Sequence, residues 1–343
     1  MFADVETVHV ESTSRCNSRC PMCSRYTAKG HIQPELKRAD LSLEIFLKLF
    51  SDSFTRKLKH VYFSGVYGDP CLNPSLINFI EHLKKYDVSV NVDSNAGMQN
   101  EDWWSRLAQT HARVNFAIDG LQDTNHVYRR HVVWEKVWSN LNRFVQSGGR
   151  GSWTFIVFKH NQHQVEEARS LAKNLGLDFR VKVTQKFRGY RNWSVMEHGE
   201  KLYDIEPPTI PIYRHENVGE AVHHVKGDFF NFPSLQEPWP EMDTVSIDCR
   251  SLRKRELYLS YSGHLLPCCF LGTLHHDSPG SVQFRQWFDL DKVDLHKIGV
   301  DAALQNLALI EGTWRQKSIR DGKLLTCART CGVHMKNVVE YVG

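Results

Sequence analysis

The stretch TVHVESTSRCNSRCPMC, residues 7 to 23, joins a short β-strand pattern to three closely spaced cysteines. TVHVES has the β-branched run that is typical of a strand. Cys16, Cys20 and Cys23 follow it in the spacing C-x3-C-x2-C. This spacing is neither the paired C-x2-C of a zinc ribbon nor a disulfide framework. Three thiols in one loop offer one ligand fewer than a filled four-ligand site.

The composition is that of a globular protein with a sizeable core: 343 residues, 41% hydrophobic and 24% charged. No run approaches the roughly 18 apolar residues of a membrane span, and the first residues lack the layout of a secretory signal. We therefore expect a cytoplasmic protein with no membrane segment, in which nine cysteines indicate metal binding or catalysis rather than disulfides. The net charge of +4 and the lack of long like-charge runs do not indicate an extensive nucleic-acid interface.

Strand and helix patterns alternate over the first 190 or so residues. The strand patterns lie at 7–12, 60–65, 88–97, 113–120, 153–161 and 179–185. The helical patterns lie at 41–53, 74–86, 100–110, 134–145 and 164–176. Because helical crossovers join parallel strands, and six units are too few for an eight-unit barrel, we predict an α/β fold with a partial (β/α)6 TIM-like barrel. Active residues should collect at the carboxyl ends of its strands, where the cysteine loop lies.

The alternation ends near residue 190, and three regions are predicted: a partial barrel at 1–192, a proline-rich and aromatic-rich connection or insertion at 193–244, and a small α+β domain at 245–343. The aromatic residues of the connection need burial, which favours a substrate-covering insertion over a disordered linker. The last region begins with a predicted β-hairpin over 255–270 that turns at Ser262 and Gly263.

A four-iron, four-sulfur cluster usually takes one thiolate on each iron, so a loop with three cysteines leaves one iron open to a chelating molecule. C-x3-C-x2-C after a first strand resembles the signature of the radical S-adenosylmethionine (SAM) superfamily. The resemblance implies that Cys16, Cys20 and Cys23 hold a [4Fe-4S] cluster, that SAM chelates the open iron, and that an electron donor such as flavodoxin or ferredoxin drives its cleavage to a 5'-deoxyadenosyl radical. The alternative for these cysteines is structural zinc, which prefers four ligands.

The segment SGVYGDP, residues 64–70, ends the second predicted strand and resembles the family's glycine-rich GGEP element. The resemblance implies that Gly65, Gly68 and Asp69 meet the amino group of SAM. Asp69 stands where the commoner form of the element has a glutamate. The aspartate keeps the negative charge, but its side chain is shorter.

Four further residues in three segments match SAM-binding elements of the family. Ser94 and Asn95 end the third strand, where relatives often have a threonine-asparagine-glycine turn. Asp119 in FAIDG would contact the ribose, although Ala117 replaces the serine of the usual pattern. Met22 occupies a place that usually holds an aromatic residue packed on adenine, and a thioether can fill the same surface. For each position the alternative is turn or cap chemistry without a ligand.

A second set of cysteines lies near the carboxyl end. Cys249, Gly263 and Cys268 have the spacing C-x13-G-x4-C, which resembles the hairpin that opens SPASM and twitch domains. The resemblance implies that Cys327 and Cys331 complete four ligands for one auxiliary [4Fe-4S] cluster. The further cysteines of a full SPASM domain are absent from the sequence, so a twitch domain fits the count better.

Two other cysteines leave alternatives open. Cys269 is adjacent to Cys268, and neighbouring strand residues point to opposite faces, so one of the two, with Cys268 favoured by the glycine spacing, should bind the cluster. Zinc remains the alternative metal for this set. Cys71 follows the GDP segment; a buried inert thiol is the default interpretation, and a catalytic hydrogen-atom donor or electron relay is the alternative.

The resemblance defines the initiating step better than the substrate. Auxiliary clusters in the family accept electrons during dehydrogenation of sugar alcohols or support peptide substrates. We favour abstraction of a hydrogen atom from a peptide or protein, as in the maturation of ribosomally made peptides, with a separate partner protein binding the leader peptide. The alternatives are dehydrogenation or rearrangement of a sugar-like or nucleoside metabolite, and a non-enzymatic metal-binding interaction module.

Overall fold

The computed structural model describes residues 2, 4–184, 186–187, 191–214, 240–276 and 278–333. The middle of the predicted connection, at 215–239, and the end of the third predicted region, at 334–343, lie outside the described residues. None of the described helices is long and apolar enough to cross a membrane.

The described residues form two sheets. Their strands are β1 (Thr7–Val10), β2 (His60–Phe63), β3 (Ser89–Ser94), β4 (Arg113–Ala117), β5 (Arg150–Ile156), β6 (Asp178–Lys182), β7 (Trp193–Glu197), β8 (Glu200–Ile205), β9 (Glu256–Leu259) and β10 (Leu265–Leu266). The larger sheet has the order β10-β9-β1-β2-β3-β4-β5-β6, and every neighbouring pair except β9 and β10 is parallel. Strands β7 and β8 form a separate antiparallel pair.

Helices follow the strands of the large sheet, as the alternating pattern predicts. The α-helices are α1 (Leu43–Leu49), α2 (Asp52–Thr55), α3 (Leu76–Lys84), α4 (Glu101–Gln109), α5 (Asn125–Tyr128), α6 (Trp134–Gln146), α7 (Val165–Asn174), α8 (Pro240–Asp243), α9 (Arg250–Arg253), α10 (Pro279–Trp287), α11 (Val300–Gly312) and α12 (Leu325–Cys331). Two of them begin at side-chain caps: Ser42 accepts a hydrogen bond from the Ile45 N–H, and Asn100 accepts one from the Trp103 N–H. The predicted α/β class with a partial TIM-like barrel is confirmed.

The two faces of the large sheet differ in chemistry because successive strand residues alternate. On one face, valine and phenylalanine side chains such as Val8 and Phe63 are fully buried with the helices. The ring of Phe46 in α1 stacks on Phe79 of α3 with centroids 4.2 Å apart, and both rings lie about 6 Å from Phe63 of β2. The opposite face carries polar residues, including His9 of β1. The apolar face stabilises the fold and leaves the polar face for chemistry.

The carboxyl-terminal hairpin forms at the predicted place, with Leu265 paired to Leu259 and Gly263 at φ +81° in the turn. Its first strand, β9, also lies parallel to β1, with Thr7 opposite Glu256. Strand β1 is therefore a central strand between β2 and β9. The pairing of β1 with β9 was not predicted, because a local sequence pattern does not indicate which distant strands become neighbours in a sheet.

Strands β7 and β8 lie inside the predicted connection, to which the sequence assigned no regular element. They form an antiparallel hairpin with a register shift between Val195 and Met196. Both Val195 and Ile205 are buried, so this part of the connection is an ordered element.

Candidate functional site

The three amino-terminal cysteines lie in the loop that follows β1 at the carboxyl edge of the sheet. The Cys23 N–H donates to the Cys20 carbonyl at 3.1 Å, which closes a turn between the two. Burial raises the pKa of the Cys16 thiol, and the nearby charges of Asp69, Cys20 and Cys23 raise it further. Burial and the charge of Cys20 raise the pKa of Cys23 in the same way. The loop therefore gathers the three thiols into one interacting group.

Across the described ranges, no three histidine, cysteine, aspartate or glutamate side chains converge on one point as ligands of a single ion do. A four-iron cluster is bound differently, because each thiolate attaches to a separate iron. Three thiols in one buried loop are the donor set that such a cluster takes. The residues present therefore fit an iron-sulfur cluster with one open iron.

The glycine-containing loop after β2 lies directly against the cysteine loop. A Cβ on Gly68 would stand 2.0 Å from the Thr13 carbonyl oxygen, and a Cβ on Gly65 would stand 1.6 Å from the Gly68 carbonyl oxygen. The Asp69 N–H donates to the Arg15 carbonyl at 2.8 Å. Gly68 is required because the backbones of the two loops approach more closely than a side chain permits, and Gly65 is required because its own loop folds back on it at Gly68.

Asp69 joins the ends of β2 and β3. Its buried carboxylate accepts hydrogen bonds from the Asn95 N–H at 2.8 Å, the Ser94 hydroxyl at 3.0 Å and the Cys71 N–H at 3.0 Å. Burial raises the pKa of Asp69, and these donors oppose that rise. The sequence predicted Asp69, Ser94 and Asn95 as separate contacts to SAM; they form one hydrogen-bonded unit.

Asn95 carries this unit to the cysteine loop. Its side-chain amide donates to Asn17 Oδ1 at 3.0 Å and lies 3.9 Å from Cys16 Sγ. The predicted adenine-packing residue, Met22, is also close to the cysteines, since it is buried in one apolar cluster with Cys20. Residues from the ends of β1, β2 and β3 thus meet at the cysteine loop.

Asp119, predicted as a ribose contact, is completely buried, and both of its carboxylate oxygens accept hydrogen bonds from protein groups. Oδ1 accepts from the Ile156 N–H and Oδ2 from Arg129 Nε, each at 2.6 Å. Arg129 Nη1 in turn donates to Cys20 Sγ at 3.5 Å. Burial alone would lower the pKa of Arg129, but the charges of Asp119 and Cys20 raise it well above its ordinary value. Sequence reasoning missed Arg129, because no local motif marks it.

An apolar shell surrounds Cys20 and Met22. It consists of Tyr128, Phe158, Phe187, Val195 and Ile205. The last two belong to the β7–β8 hairpin, so the hairpin covers one side of the cysteine loop. The shell excludes water, which strengthens electrostatic interactions around the thiols.

Charged residues fasten the same hairpin to the cysteine loop. Glu197 of β7 accepts from Arg19 at 3.0 Å and also pairs with Arg130. The Arg19 side chain donates to the Gly30 carbonyl at 2.6 Å, and its backbone N–H donates to the Arg130 carbonyl at 2.9 Å. Arg19 belongs to the cysteine loop and Arg130 is hydrogen-bonded to it, so a single glutamate links hairpin and loop.

Glu11 is a second residue that sequence reasoning missed. This completely buried carboxylate accepts from the Tyr67 N–H at 2.6 Å and from the Tyr258 hydroxyl. Burial raises the pKa of Glu11 to about 7, against the hydrogen bonds that lower it. Tyr67 lies in the glycine-containing loop and Tyr258 in β9, so Glu11 joins three parts of the chain. Glu11 lies two residues after His9, so strand alternation places both side chains on the polar face of the sheet. This alternation is the sequence signal that could have identified Glu11.

Cys71 lies in the hydrophobic core with 1% of its surface exposed. Its carbonyl accepts from Gln99 Nε2 at 2.6 Å. Burial raises the pKa of its thiol well above the ordinary value, and the charge of Asp69 adds to this. These surroundings favour the interpretation of Cys71 as an inert thiol over a catalytic one.

The carboxyl-terminal cysteines come together through backbone pairing. Ile247 pairs with Gly332, and the Asp248 N–H donates to the Cys331 carbonyl at 2.9 Å, so Cys249 and Cys331 lie on adjacent segments. Burial raises the pKa of Cys327, and the charges of Cys249 and Cys331 raise it further.

Cys268 and Cys269 differ in their neighbours. Burial raises the pKa of Cys268, and the charges of Cys269, Cys327 and Cys249 raise it further. For Cys269, burial and the charges of Glu256 and Glu11 raise the pKa to about 12. Cys268 therefore interacts with the other carboxyl-terminal cysteines, whereas Cys269 interacts with acidic residues of β9 and the end of β1.

Comparisons with known proteins agree with this geometry. Residues 10–172 match the model of the Radical SAM superfamily. Over 182 residues, the chain is 28% identical to the tungsten-containing aldehyde ferredoxin oxidoreductase cofactor-modifying protein of Pyrococcus furiosus. That alignment covers 50% of this chain and 49% of the relative, so the chain spans about half the length of the curated relative it matches.

Solved structures share the fold over most of the chain. Streptococcus suis SuiB bound to S-adenosylmethionine superposes with a TM-score of 0.51 at 14% identity, covering 94% of this chain and 77% of SuiB. SuiB bound to its precursor peptide SuiA gives 0.53 at 14% identity, covering 94% and 76%. A histidine-tagged anSMEcpe with bound AdoMet gives 0.50 at 13% identity, covering 93% and 85%. Residues 10–172, just under half of the chain, therefore form a radical SAM domain.

Proposed function

We propose that Cys16, Cys20 and Cys23 hold a [4Fe-4S] cluster whose open iron binds SAM, and that the chain is an enzyme that abstracts a hydrogen atom from its substrate. The observation that carries this proposal is the meeting of the cysteine loop with the Asp69, Ser94 and Asn95 unit. When bound and reduced, the cluster supplies the electron that cleaves SAM to a 5'-deoxyadenosyl radical.

The chain's own residues would bind and shield the cofactor. The backbone packs tightly at Gly65 and Gly68, where no side chain fits, and Asp69 fixes the neighbouring turn through hydrogen bonds from Ser94, Asn95 and Cys71. This rigid turn would meet the amino group of SAM. Met22 presents an apolar surface suited to a nucleobase. The β7–β8 hairpin keeps water from one side of the site.

Anaerobic reconstitution tests this proposal. The reduced protein should release 5'-deoxyadenosine from SAM, and a Cys16→Ala, Cys20→Ala, Cys23→Ala variant should lose about four irons and this activity together. A wild-type protein that takes up no iron at the amino-terminal loop, or cleaves no SAM when reduced, would refute the proposal and favour the non-enzymatic metal-binding alternative.

For the substrate we propose a peptide or protein, with leader-peptide binding supplied by a separate protein. The support is the shared fold with SuiB, which was solved with its precursor peptide SuiA. Incubation with candidate peptides deuterated at the attacked carbon should transfer deuterium to 5'-deoxyadenosine, as read by mass spectrometry. Peptides that never transfer deuterium are excluded as substrates of hydrogen abstraction.

A second candidate is a small metabolite or organic cofactor. The observation that favours it is the name of the Pyrococcus furiosus relative, a cofactor-modifying protein. The same deuterium assay separates the two classes when sugar-like and nucleoside compounds are included beside peptides. Transfer from the small compounds alone would replace the peptide assignment.

We also propose that Cys249, Cys268, Cys327 and Cys331 hold an auxiliary [4Fe-4S] cluster in a twitch-type domain. The backbone pairing of the segments that carry Cys249 and Cys331, and the interaction of Cys268 with Cys327, support this set. Cys268→Ala should lower the iron content by about half, from about eight to about four, while Cys269→Ala retains it. If Cys268→Ala kept its full iron content and Cys269→Ala lost half, Cys269 would be the cluster ligand in place of Cys268. Bound zinc in place of iron would refute the auxiliary cluster.

A further inference from the structure

We infer that Arg129 is a positioning residue that sets the reduction potential of the amino-terminal cluster by hydrogen bonding to Cys20, with Asp119 holding the guanidinium in place. This inference rests on the proposed cluster at Cys16, Cys20 and Cys23. It assigns Asp119 a different task from the ribose contact predicted from the sequence.

The three groups form a continuous buried chain. Cys20 Sγ lies 3.5 Å from Arg129 Nη1, and Arg129 Nε lies 2.6 Å from Asp119 Oδ2. The side chain of Arg129 is 17% exposed, and that of Asp119 is completely buried. Because water is largely excluded, the charges interact much more strongly than they would at the surface.

Asp119 is held rigidly on every side. Its Oδ1 accepts from the Ile156 N–H, its own N–H donates to Asn125 Oδ1 at 3.0 Å, and its carbonyl accepts from Asn161 Nδ2 at 2.9 Å. Both carboxylate oxygens are thus engaged by protein donors. A carboxylate fixed in this way is suited to orient Arg129.

Arg129 is also fixed through its backbone, since its N–H donates to the Asn125 carbonyl at 2.8 Å. The Ser18 hydroxyl lies 3.0 Å from Cys20 Sγ as well, but it carries no charge. Arg129 therefore brings positive charge to this thiol, and Ser18 brings a neutral hydrogen-bonding partner.

Reduction of a cluster adds one negative charge, so a cation that donates to a ligating sulfur stabilises the reduced form. Removing the charge of Arg129 should lower the reduction potential. Asp119→Asn removes the opposing charge but keeps a side-chain oxygen that can accept the hydrogen bond from Arg129 Nε, so the guanidinium stays in place and the potential should rise. The two substitutions are therefore expected to shift the potential in opposite directions, which a purely structural role would not produce.

The test is a redox titration of the anaerobically reconstituted holoprotein, followed by electron paramagnetic resonance, with the SAM-dependent change in the signal identifying the amino-terminal cluster. We expect a lower potential in Arg129→Gln, a potential near wild type in Arg129→Lys, and a higher potential in Asp119→Asn. Arg143→Gln is the control, because it removes the same formal charge from an exposed ion pair with Glu101, where solvent and salt screen it. Its potential should not move.

Iron content is measured on every sample, so that each outcome can be interpreted. An unchanged potential in Arg129→Gln with a full amino-terminal cluster would overturn the inference. If Arg129→Gln fails to fold or to load iron, the test depends on Asp119→Asn. An unchanged or lower reduction potential in Asp119→Asn would also overturn the inference. A wild-type protein that binds no cluster at the cysteine loop would instead refute the proposed function.

Discussion

Glu11 carries a carboxylate whose pKa burial raises to about 7, above the roughly 4.3 of an unfolded glutamate. The stability that Glu11 contributes in its protonated form is therefore fully present below about pH 4 and is lost as the pH rises through 7. The size of the loss is about 3 kcal/mol. In Glu11→Gln this part of the pH dependence should disappear.

Chemical denaturation at several pH values between 5.5 and 8, under anaerobic conditions, checks this expectation. Glu81→Gln, at an exposed position on α3, should keep the slope of the wild type. An undiminished slope in Glu11→Gln would show that Glu11 does not titrate in this range.

Gly68 is the residue at which the cysteine loop and the β2 loop approach most closely. Because a Cβ would stand 2.0 Å from the Thr13 carbonyl oxygen, Gly68→Ala should destabilise the protein by about 1–3 kcal/mol and reduce iron loading. Denaturation and iron analysis measure the two effects. Gly299→Ala, where the added Cβ would meet nothing within 4 Å, is the matched control and should retain both. Equal behaviour of the two variants would contradict the required close approach.

At the scale of elements, the β7–β8 hairpin protects the cysteine loop through Glu197, which pairs with Arg19 and Arg130. Glu197→Gln removes the charge that both arginines share. We expect the cluster to bleach several fold faster in air or with a chelator, as followed by its visible absorbance. Asp204→Asn is the control, since Asp204 pairs with Lys201 and Ser194 within the hairpin itself. Similar bleaching rates in all three proteins would argue against a protective hairpin.

The sequence predicted those elements and site residues whose signal is local. The parallel strands follow from short β-branched runs, and the cysteine loop follows from its spacing. The β7–β8 hairpin was missed because Val195 and Ile205 are buried against Cys20 and Met22, far away in the chain. Arg129 was missed for the same reason: its sulfur partner lies 109 positions away. Contacts of this kind depend on the assembled fold and leave no periodic pattern.

For the molecule as a whole, the hydroxyl of Tyr258 connects the carboxyl-terminal hairpin through Glu11 to the glycine-containing loop, which forms one edge of the proposed SAM site. Tyr258→Phe should lower the free energy of unfolding by about 1–3 kcal/mol, because it removes a donor from a buried carboxylate. It should also weaken SAM binding, since Glu11 holds the backbone of Tyr67. Denaturation and anaerobic equilibrium binding of SAM measure the two effects.

Tyr86→Phe is the matched control for that substitution. Tyr86 also donates its hydroxyl to a carboxylate, that of Asp52, but at an exposed position. This variant should retain wild-type stability and SAM affinity. If Tyr258→Phe behaved like Tyr86→Phe, β9 would not be coupled to the binding edge.

The position of β9 beside β1 also has a consequence during synthesis on the ribosome. Strand β1 needs a neighbour that is translated roughly two hundred and fifty residues later, as the register of Thr7 with Glu256 requires. Until then one side of β1 has unsatisfied backbone groups, and nascent chains in this condition are prone to associate with one another. Productive insertion of iron would therefore follow the synthesis of β9, and chaperone capture of the nascent amino-terminal half is expected to raise the yield of active protein.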